Sequence, residues 1–257
     1  MSRVIAIANQ KGGVGKTTTA VNLAAALAIA EKQTLLLDLD PQANSSSSLN
    51  VRLDRDDPCI YDVLIDAVSP QSVVRKTDFA FLSILPSHIR LVGAEIELVS
   101  VEEREKALKR AIDQIRHEFD FILIDCPPSL GLLTLNGLTA ADAVMVPVQA
   151  EYFALEGLTQ LLNTIRLVQK RLNPALTMEG LLLTMFDERL NLSRQVRDEL
   201  HRFFPEHTFQ TIVHRNVRLA EAPSYGKPAM HIAAGSQGAR DYLAVAAELM
   251  SRQVQAA

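Results

Sequence analysis

Two lysines stand five residues apart in a short glycine-rich segment, Lys11-Gly12-Gly13-Val14-Gly15-Lys16-Thr17-Thr18. Glycines let backbone N–H groups converge on phosphate oxygens with no Cβ in the way. A helix starting directly after them adds oriented N–H donors and a partial positive charge. In that setting Lys16 reaches the β- and γ-phosphates of a nucleotide, and the Thr17 hydroxyl is offered to Mg2+. The standard phosphate loop has glycine five residues before Gly15. Here that position is Gln10, and a second lysine, Lys11, follows it. The segment therefore reads as a deviant phosphate loop. Taken apart from the loop, Lys11 would be an ordinary solvated charge.

Two acidic groups follow apolar runs. Thr34 to Leu37 leads into Asp38-Leu39-Asp40-Pro41-Gln42, and Phe121 to Ile124 leads into Asp125-Cys126-Pro127-Pro128. Beside a phosphate loop, Asp40 is expected to position or deprotonate an attacking water. Asp125 is expected to hold Mg2+ through a water, alongside Thr17. The alternatives are turn chemistry at Asp-Pro and a plain strand-end cap at Asp125. Asp38 is read as a structural cap of the site and Cys126 as a buried, inert thiol. Pro127-Pro128-Ser129 is expected to form a loop that moves with the γ-phosphate.

Bringing these groups together requires strands that end at one edge. Val4 to Ala8, Thr34 to Leu37, Phe121 to Ile124, Ala143 to Val148 and Gly180 to Thr184 are apolar runs bounded by turn signals, as in strands covered on both faces. Between them lie helical patterns: Thr19 to Ala30, an amphipathic stretch through Ala107 to Phe119, another through Leu158 to Leu172, and a last helix over Ala239 to Arg252. Alternating strands and helices predict an α/β fold, with a mostly parallel central sheet flanked by helices. Ligands in such folds bind beyond the carboxyl ends of the strands. Ser45 to Ser48 reads as a polar loop. No repeat or long linker divides residues 1–257, which are read as one domain.

The composition narrows the function classes. Hydrophobic residues make up 48 % and charged residues 22 % of the 257, which argues against disorder. With 26 Lys+Arg against 30 Asp+Glu, the net charge is −4. This excludes a protein that coats nucleic acid through bulk charge, and leaves room for a local basic patch. Cys59 and Cys126 form no CxxC pair and no disulfide framework, which points to a reducing compartment. No apolar run reaches about 18 residues, and no signal-peptide pattern opens the chain, so a cytoplasmic location is expected.

The segments Lys11 to Thr18, Leu35 to Gln42 and Ile122 to Pro128 together resemble the ParA/Soj family of chromosome- and plasmid-partitioning ATPases. Ser129 to Thr134, Glu151-Tyr152-Phe153-Ala154-Leu155-Glu156-Gly157-Leu158, Arg215 to Leu219 and Glu221 to Ser224 extend the likeness over nearly the whole chain. The resemblance implies a three-layer P-loop fold using ATP and Mg2+, and an ATP-driven sandwich homodimer. Lys11 would cross to the partner's phosphates, Gly12 would sit at the close dimer contact, and Lys16 would bind phosphate in its own subunit. Asp40 would support hydrolysis. Met185, His214 and Asn216 would lie around the adenine. It further implies non-specific binding of double-stranded DNA, mapped to Arg189, Arg215 and Arg218, and a ParB-type partner that stimulates hydrolysis. A nucleoid-associated location follows.

From composition alone, the segment from Asp187 to Arg218 reads as an ordinary solvated face, with six arginines against five acids. His214 stands where the family typically has proline, either as a harmless side chain or as a titratable group beside the adenine. Ala43 and Ser48 replace usual glycines and are expected to stiffen the loop after Asp40. His231 to Gly238 lacks basic residues usual in the family, with Arg240 a partial substitute. Other readings remain open: a ParA-like or MinD-like ATPase positioning a protein cargo or a division site, or a ligase that activates a carboxylate with ATP. The end of the chain, Met250 to Ala257, lacks a lysine-rich amphipathic membrane helix, so no stable membrane association is expected. A cluster-bridging reductase needs a cysteine pattern that Cys59 and Cys126 do not form.

Overall fold

The computed structural model describes residues 2–151 and 154–256. Tyr152 and Phe153, which contribute to the family resemblance, lie outside the described residues, as does Ala257. Seven strands form one sheet: β1 (Arg3–Ile7), β2 (Thr34–Asp38), β3 (Arg75–Lys76), β4 (Leu82–Leu85), β5 (Phe121–Asp125), β6 (Ala143–Gln149) and β7 (Thr177–Thr184), in the order β3-β4-β2-β5-β1-β6-β7. All neighbours pair in parallel except β3 with β4. The helices are α1 (Lys16–Ile29), α2 (Asn44–Ser48), α3 (Ile60–Ile65), α4 (Pro70–Val73), α5 (Leu91–Glu97), α6 (Ala107–Ile115), α7 (Leu132–Ala140), α8 (Ala154–Arg171), α9 (Asn191–Phe203), α10 (Val217–Glu221), α11 (Ala229–Ile232) and α12 (Gln237–Ala256).

The three layers follow from strand periodicity. Successive side chains point to opposite faces, so Val4, Ala6, Leu35, Leu37, Ile122 and Ile124 enter one core with residues of α6, α7 and α8. Ile5, Ile7, Leu36 and Leu123 enter the other, with residues of α1 and α12. Both faces are buried, which is why the strands read as continuous apolar runs. Each fully buried leucine or isoleucine contributes about 1.5–3 kcal/mol. A hydrogen bond of 3.0 Å between Thr19 and the Tyr242 hydroxyl links α1 to α12 inside the second core.

Three features differ from the sequence expectation. The edge strands β3 and β4 went unread, because β4 is only four residues long and β3 is the charged pair Arg75-Lys76. A short, charged edge strand of this kind discourages pairing with another chain. Second, α1 starts at Lys16, so the phosphate loop runs straight into its helix. Third, Ser45 to Ser48 is not a polar loop. It belongs to α2, and Ser45, Ser46 and Ser48 are buried. Four serines are poor helix formers by propensity, so tertiary hydrogen bonds hold this turn. Among the described residues no helix is long and apolar enough to cross a membrane.

Candidate functional site

In register, Asp125 pairs with both Ile7 and Asp38, so β1, β2 and β5 end together. The loops leaving these three strands therefore open at one edge of the sheet. The loop after β1 is shaped from within. The Asn9 side chain donates to the Pro147 carbonyl at 2.8 Å and accepts from the Lys11 N–H at 3.0 Å. Thr184 at the end of β7 donates to the Val14 carbonyl at 2.8 Å. Gly13 and Gly15 adopt φ of 74° and 86°, the left-handed region where glycine is unstrained. A Cβ built on Gly12 or Gly13 would meet nothing within 4 Å, so the loop presents an open backbone cradle.

The two lysines of this loop diverge. Lys16 is 7 % exposed, and its Nζ donates back to the Lys11 carbonyl at 3.1 Å. Burial lowers the Lys16 pKa, and the charges of Asp125 and Asp40 oppose that shift. Lys11 points away from this interior. Its side chain is 36 % exposed and pairs with Glu151 at 2.8 Å. Glu151 also accepts from the Gln149 amide.

Asp38 and Asp125 are fully buried side by side. Ser46 donates to Asp38 Oδ2 twice, from its N–H at 2.8 Å and its hydroxyl at 2.7 Å. Ser46 is the third residue of α2, so Asp38 satisfies a free N–H of the first turn and caps the helix from a neighbouring strand. Ser45 donates to Asp125 Oδ2 at 2.8 Å. These bonds are the physical reason the serine run folds as it does. Burial and the adjacent Asp125 charge push Asp38 up to about 8. Burial also raises Asp125, with the Ser45 and Thr17 hydroxyls opposing. Burial pushes the Cys126 thiol up as well, which keeps it a neutral, inert thiol. Asp40 lies past the strand end, 7 % exposed, and accepts from the Gln42 N–H at 2.9 Å.

A magnesium–nucleotide fits these residues on two observations. Asp125 Oδ1 is buried with no hydrogen-bond partner, and an uncompensated carboxylate oxygen at this depth is costly unless a cation or its water answers it. The open cradle at Gly12 and Gly13 supplies unblocked N–H donors next to it. Thr17 is at the first turn of α1, beside Asp125.

Next to Gly15 lies a cleft of about 150 Å3, lined by Thr18, Met185, His214, Asn216 and Tyr242 among others. The structure thus brings Met185, His214 and Asn216 to one cavity adjoining the phosphate loop. Met185 holds φ at 52°, a strained conformation for this residue type. His214 is anchored by α12: its N–H donates to Asp241 Oδ2 at 2.8 Å, and its Nδ1 lies 3.0 Å from the same oxygen. Asn216 caps α10 by accepting from the Arg218 N–H at 2.9 Å.

The arginines are arranged differently. Arg189 and Arg215 line one open cleft with Asp187, Glu188 and His214, and Arg218 lies on α10. Arg189 is paired with Asp187 at 2.7 Å and Arg218 with Glu221 at 2.9 Å. The Arg189 hydrogen bonds hold Asp187 down to about 2.

Sequence reading missed Ser45 and Ser46 as carboxylate partners, Glu151 as the partner of Lys11, and Asp241 as the anchor of His214. The four consecutive serines after Asp-Pro-Gln were the available signal, since small hydroxyls are what buried carboxylates require.

A family model described as an AAA domain matches residues 2–178. The sporulation initiation inhibitor protein Soj of Bacillus subtilis is 52 % identical over 249 residues, covering 97 % of this chain and 98 % of that protein. The chromosome partitioning protein ParA of Myxococcus xanthus is 52 % identical over 252 residues, covering 98 % and 89 %. A solved structure named as cobyrinic acid a,c-diamide synthase from Mycobacterium smegmatis, with bound ADP and magnesium, aligns with a TM-score of 0.87 at 39 % identity, covering 100 % of this chain and 97 % of that one. With a deviant phosphate loop at the head of a parallel sheet, two strand-end carboxylates beside it, and this similarity over nearly its full length, the chain belongs to the ParA/Soj family of partitioning ATPases.

Proposed function

We propose that this chain is a DNA-partitioning switch: ATP pairs two copies, the pair holds DNA without sequence preference, and a ParB-type partner triggers hydrolysis and release. The divergence of Lys11 and Lys16 is the observation that carries this reading. Lys16 is folded into its own site. Lys11, half-buried and held by a partly exposed ion pair with Glu151, is free to exchange that partner for a phosphate across a dimer. An exposed pair of this kind is worth little and is readily exchanged.

Within one subunit, Gly12, Gly13, Val14 and Gly15 present backbone N–H groups to the phosphates, and Lys16, Thr17 and Thr18 complete the cradle. Mg2+, when bound, neutralises charge on the phosphate oxygens, and Thr17 and Asp125 are the residues that would hold it. Asp40 orients the attacking water and accepts its proton. Lys11 from the partner adds fixed positive charge where negative charge grows. Met185, His214 and Asn216 enclose the base. Arg189, Arg215 and Arg218 contact DNA phosphates, and pairing doubles their number, so binding gains by avidity. Slow turnover suits such a timer. A cytoplasmic, nucleoid-associated location follows from this reading.

Gly12→Val tests the core of it. The valine should still bind ATP, because nothing within the subunit meets its Cβ, but block pairing. Sedimentation with ATP reads this directly, and a Gly12→Val protein that pairs like the parent refutes the cross-subunit role. A ligase reading is favoured by the name of the 39 % identical synthase structure. It predicts ATP turnover that requires a small carboxylate and ignores DNA, and a turnover assay with each added in turn separates the two.

A further inference from the structure

Beside the loop that follows Asp40 lies a second cleft, of about 260 Å3, lined by other residues than the one around Met185 and His214. Three chain segments wall it. Pro41, Gln42 and Ala43 leave β2, Val51 to Leu53 follow α2, and Ser87 to Ile89 follow β4. Ser47 of α2 completes the lining. No carboxylate lines this cleft among the described residues.

Its polar groups are unmet donors. The Arg52 side chain is exposed and makes no ion pair or hydrogen bond among the described residues. The Ser87 hydroxyl is buried without a hydrogen-bond partner, in a residue only 2 % exposed. Buried hydroxyls are ordinarily matched, so this one calls for an oxygen that the chain does not supply. His88 Nδ1 accepts from the Arg90 N–H at 3.3 Å, which leaves the ring proton on Nε2. A free guanidinium is the side chain best shaped to fork onto phosphate oxygens.

The surroundings set the size of the anion. Arg52 also borders a neighbouring cleft with Arg75, Lys76 and Asp78, where Arg75 is already paired with Asp57 at 3.5 Å. Beyond Leu53 the chain reads Asp54-Arg55-Asp56-Asp57. Three aspartates against one arginine repel an extended polyanion such as a duplex, which needs a row of unopposed cations. A compact anion seated on Arg52 avoids them. The rest of the wall is largely aliphatic, through Pro41, Val51, Leu53 and Ile89, as in sites that cover a small organic body and fix it by a few polar groups. The cleft also touches the catalytic loop. Ala43 holds φ at 53°, a costly conformation for a residue with a Cβ, and the Ser87 N–H donates at 3.0 Å to the Ser46 hydroxyl that holds Asp38.

We propose that this cleft binds a small organic phosphomonoester, its phosphate on Arg52 and the Ser87 hydroxyl and its carbon body on the aliphatic wall, and that occupancy shifts the loop after Asp40. The second half rests on the ATPase reading above, whereas the binding itself does not.

The test uses the full chain carrying Ser47→Cys, whose labelling rate with a neutral maleimide is a local footprint of the cleft, since Cys59 and Cys126 are buried. The probe is phenyl phosphate, without nucleotide. It should slow labelling saturably, with a Kd of about 1 mM or tighter. Adding Arg52→Gln should weaken this at least about tenfold, as loss of a charge-assisted bond does, with circular dichroism unchanged because the side chain is exposed. Lys76→Gln, in the neighbouring cleft, should change it by less than about twofold. Ser87→Ala should weaken it by about threefold without lowering Tm, because its hydroxyl has no partner to lose. No protection, or protection indifferent to Arg52→Gln, overturns the site. Inorganic phosphate protecting as well as phenyl phosphate overturns the organic body and assigns the cleft to free phosphate. Duplex DNA protecting at a lower phosphate concentration than phenyl phosphate also overturns the proposal, assigning the cleft to DNA. With ATP present, phenyl phosphate should change turnover by about fivefold in the parent and not in Arg52→Gln, a contrast that competition at the phosphate loop would not produce. Equal responses in the two proteins overturn the coupling. A chain protected by phenyl phosphate that turns over no ATP in any condition refutes the ATPase reading and leaves the site intact.

Discussion

Lys16 and Arg189 are both cations beside aspartates, yet they occupy opposite surroundings. Lys16 is buried, near Asp125 and Asp40, with its amine directed back into its own loop. The Arg189 side chain is 87 % exposed and forks onto the mostly covered Asp187 carboxylate at the surface. A charge held in a low-dielectric, preorganised setting acts strongly on a phosphate, whereas an exposed charge already paired with a neighbour acts weakly. The phosphate end is thus assembled within one chain. The arginine end carries little net attraction per chain, consistent with a binding surface that gains strength only by doubling.

Breaking the buried end should have the largest effects. Lys16→Ala removes the lysine held among those carboxylates, and nucleotide binding or ATP-driven pairing is expected to be lost, with any residual turnover down by at least about 10²–10³-fold. Titration with a fluorescent ATP analogue reads it, and parent-like affinity would dissolve the contrast between the two ends. Asp40→Ala comes next. ATP should still bind, because Asp40 is not part of the cradle, while hydrolysis falls by about 10²–10⁴-fold and the paired, DNA-bound form accumulates. Turnover at the parent rate would remove Asp40 from the chemistry.

Ser46→Ala probes the support beneath that site. It deletes the hydroxyl that donates to Asp38 at 2.7 Å and leaves the Ser87 N–H, now bonded to it at 3.0 Å, without a partner. A buried donor left unmatched costs about 1–3 kcal/mol, which lowers Tm by about 2–4 °C per kcal/mol for a chain of this size. Ser47 is exposed on the same helix, and Ser47→Ala should stay within about 0.5 kcal/mol of the parent. Equal losses at the two positions would mean that the serine run is held by its helix rather than by the carboxylates.

These cases also show what a sequence makes legible. The phosphate loop was readable because its requirements are local: glycines where the backbone turns, a lysine and a threonine where the helix begins. Asp38 and Asp125 were readable because strand periodicity places the residue after an apolar run at the sheet edge. Ser45 and Ser46 were not, since Ser45 meets a carboxylate 80 positions away and the intrinsic preference of the run is for a loop. His214 meets Asp241 across 27 positions for the same reason. Strand β3 was hidden because two charged residues carry no periodic signal. The exposed arginines are visible in the sequence, but whether each is free or paired depends on which neighbouring acid it reaches.

That last point yields the finest test of the comparison, and the smallest expected effect. Arg189 is tied to Asp187 only two residues away, and that same aspartate shares the cleft with Arg215. Asp187→Asn removes the competing charge while keeping a side chain of the same shape. If pairing with Asp187 is what mutes this surface, DNA affinity in the presence of ATP should rise by about two- to fivefold, as expected for releasing one exposed ion pair. Nucleotide affinity should stay the same. Arg189→Glu should do the reverse, weakening binding to unrelated duplexes alike and reducing the salt slope by about 0.9 for each phosphate no longer neutralised. The two substitutions must move DNA binding in opposite directions, because one frees a cation and the other replaces it with an anion. If both leave the salt slope unchanged, Arg189 is an ordinary solvated residue. The attraction to DNA would then have to come from Arg215 and Arg218, and Arg218 is itself held by an acidic neighbour, Glu221.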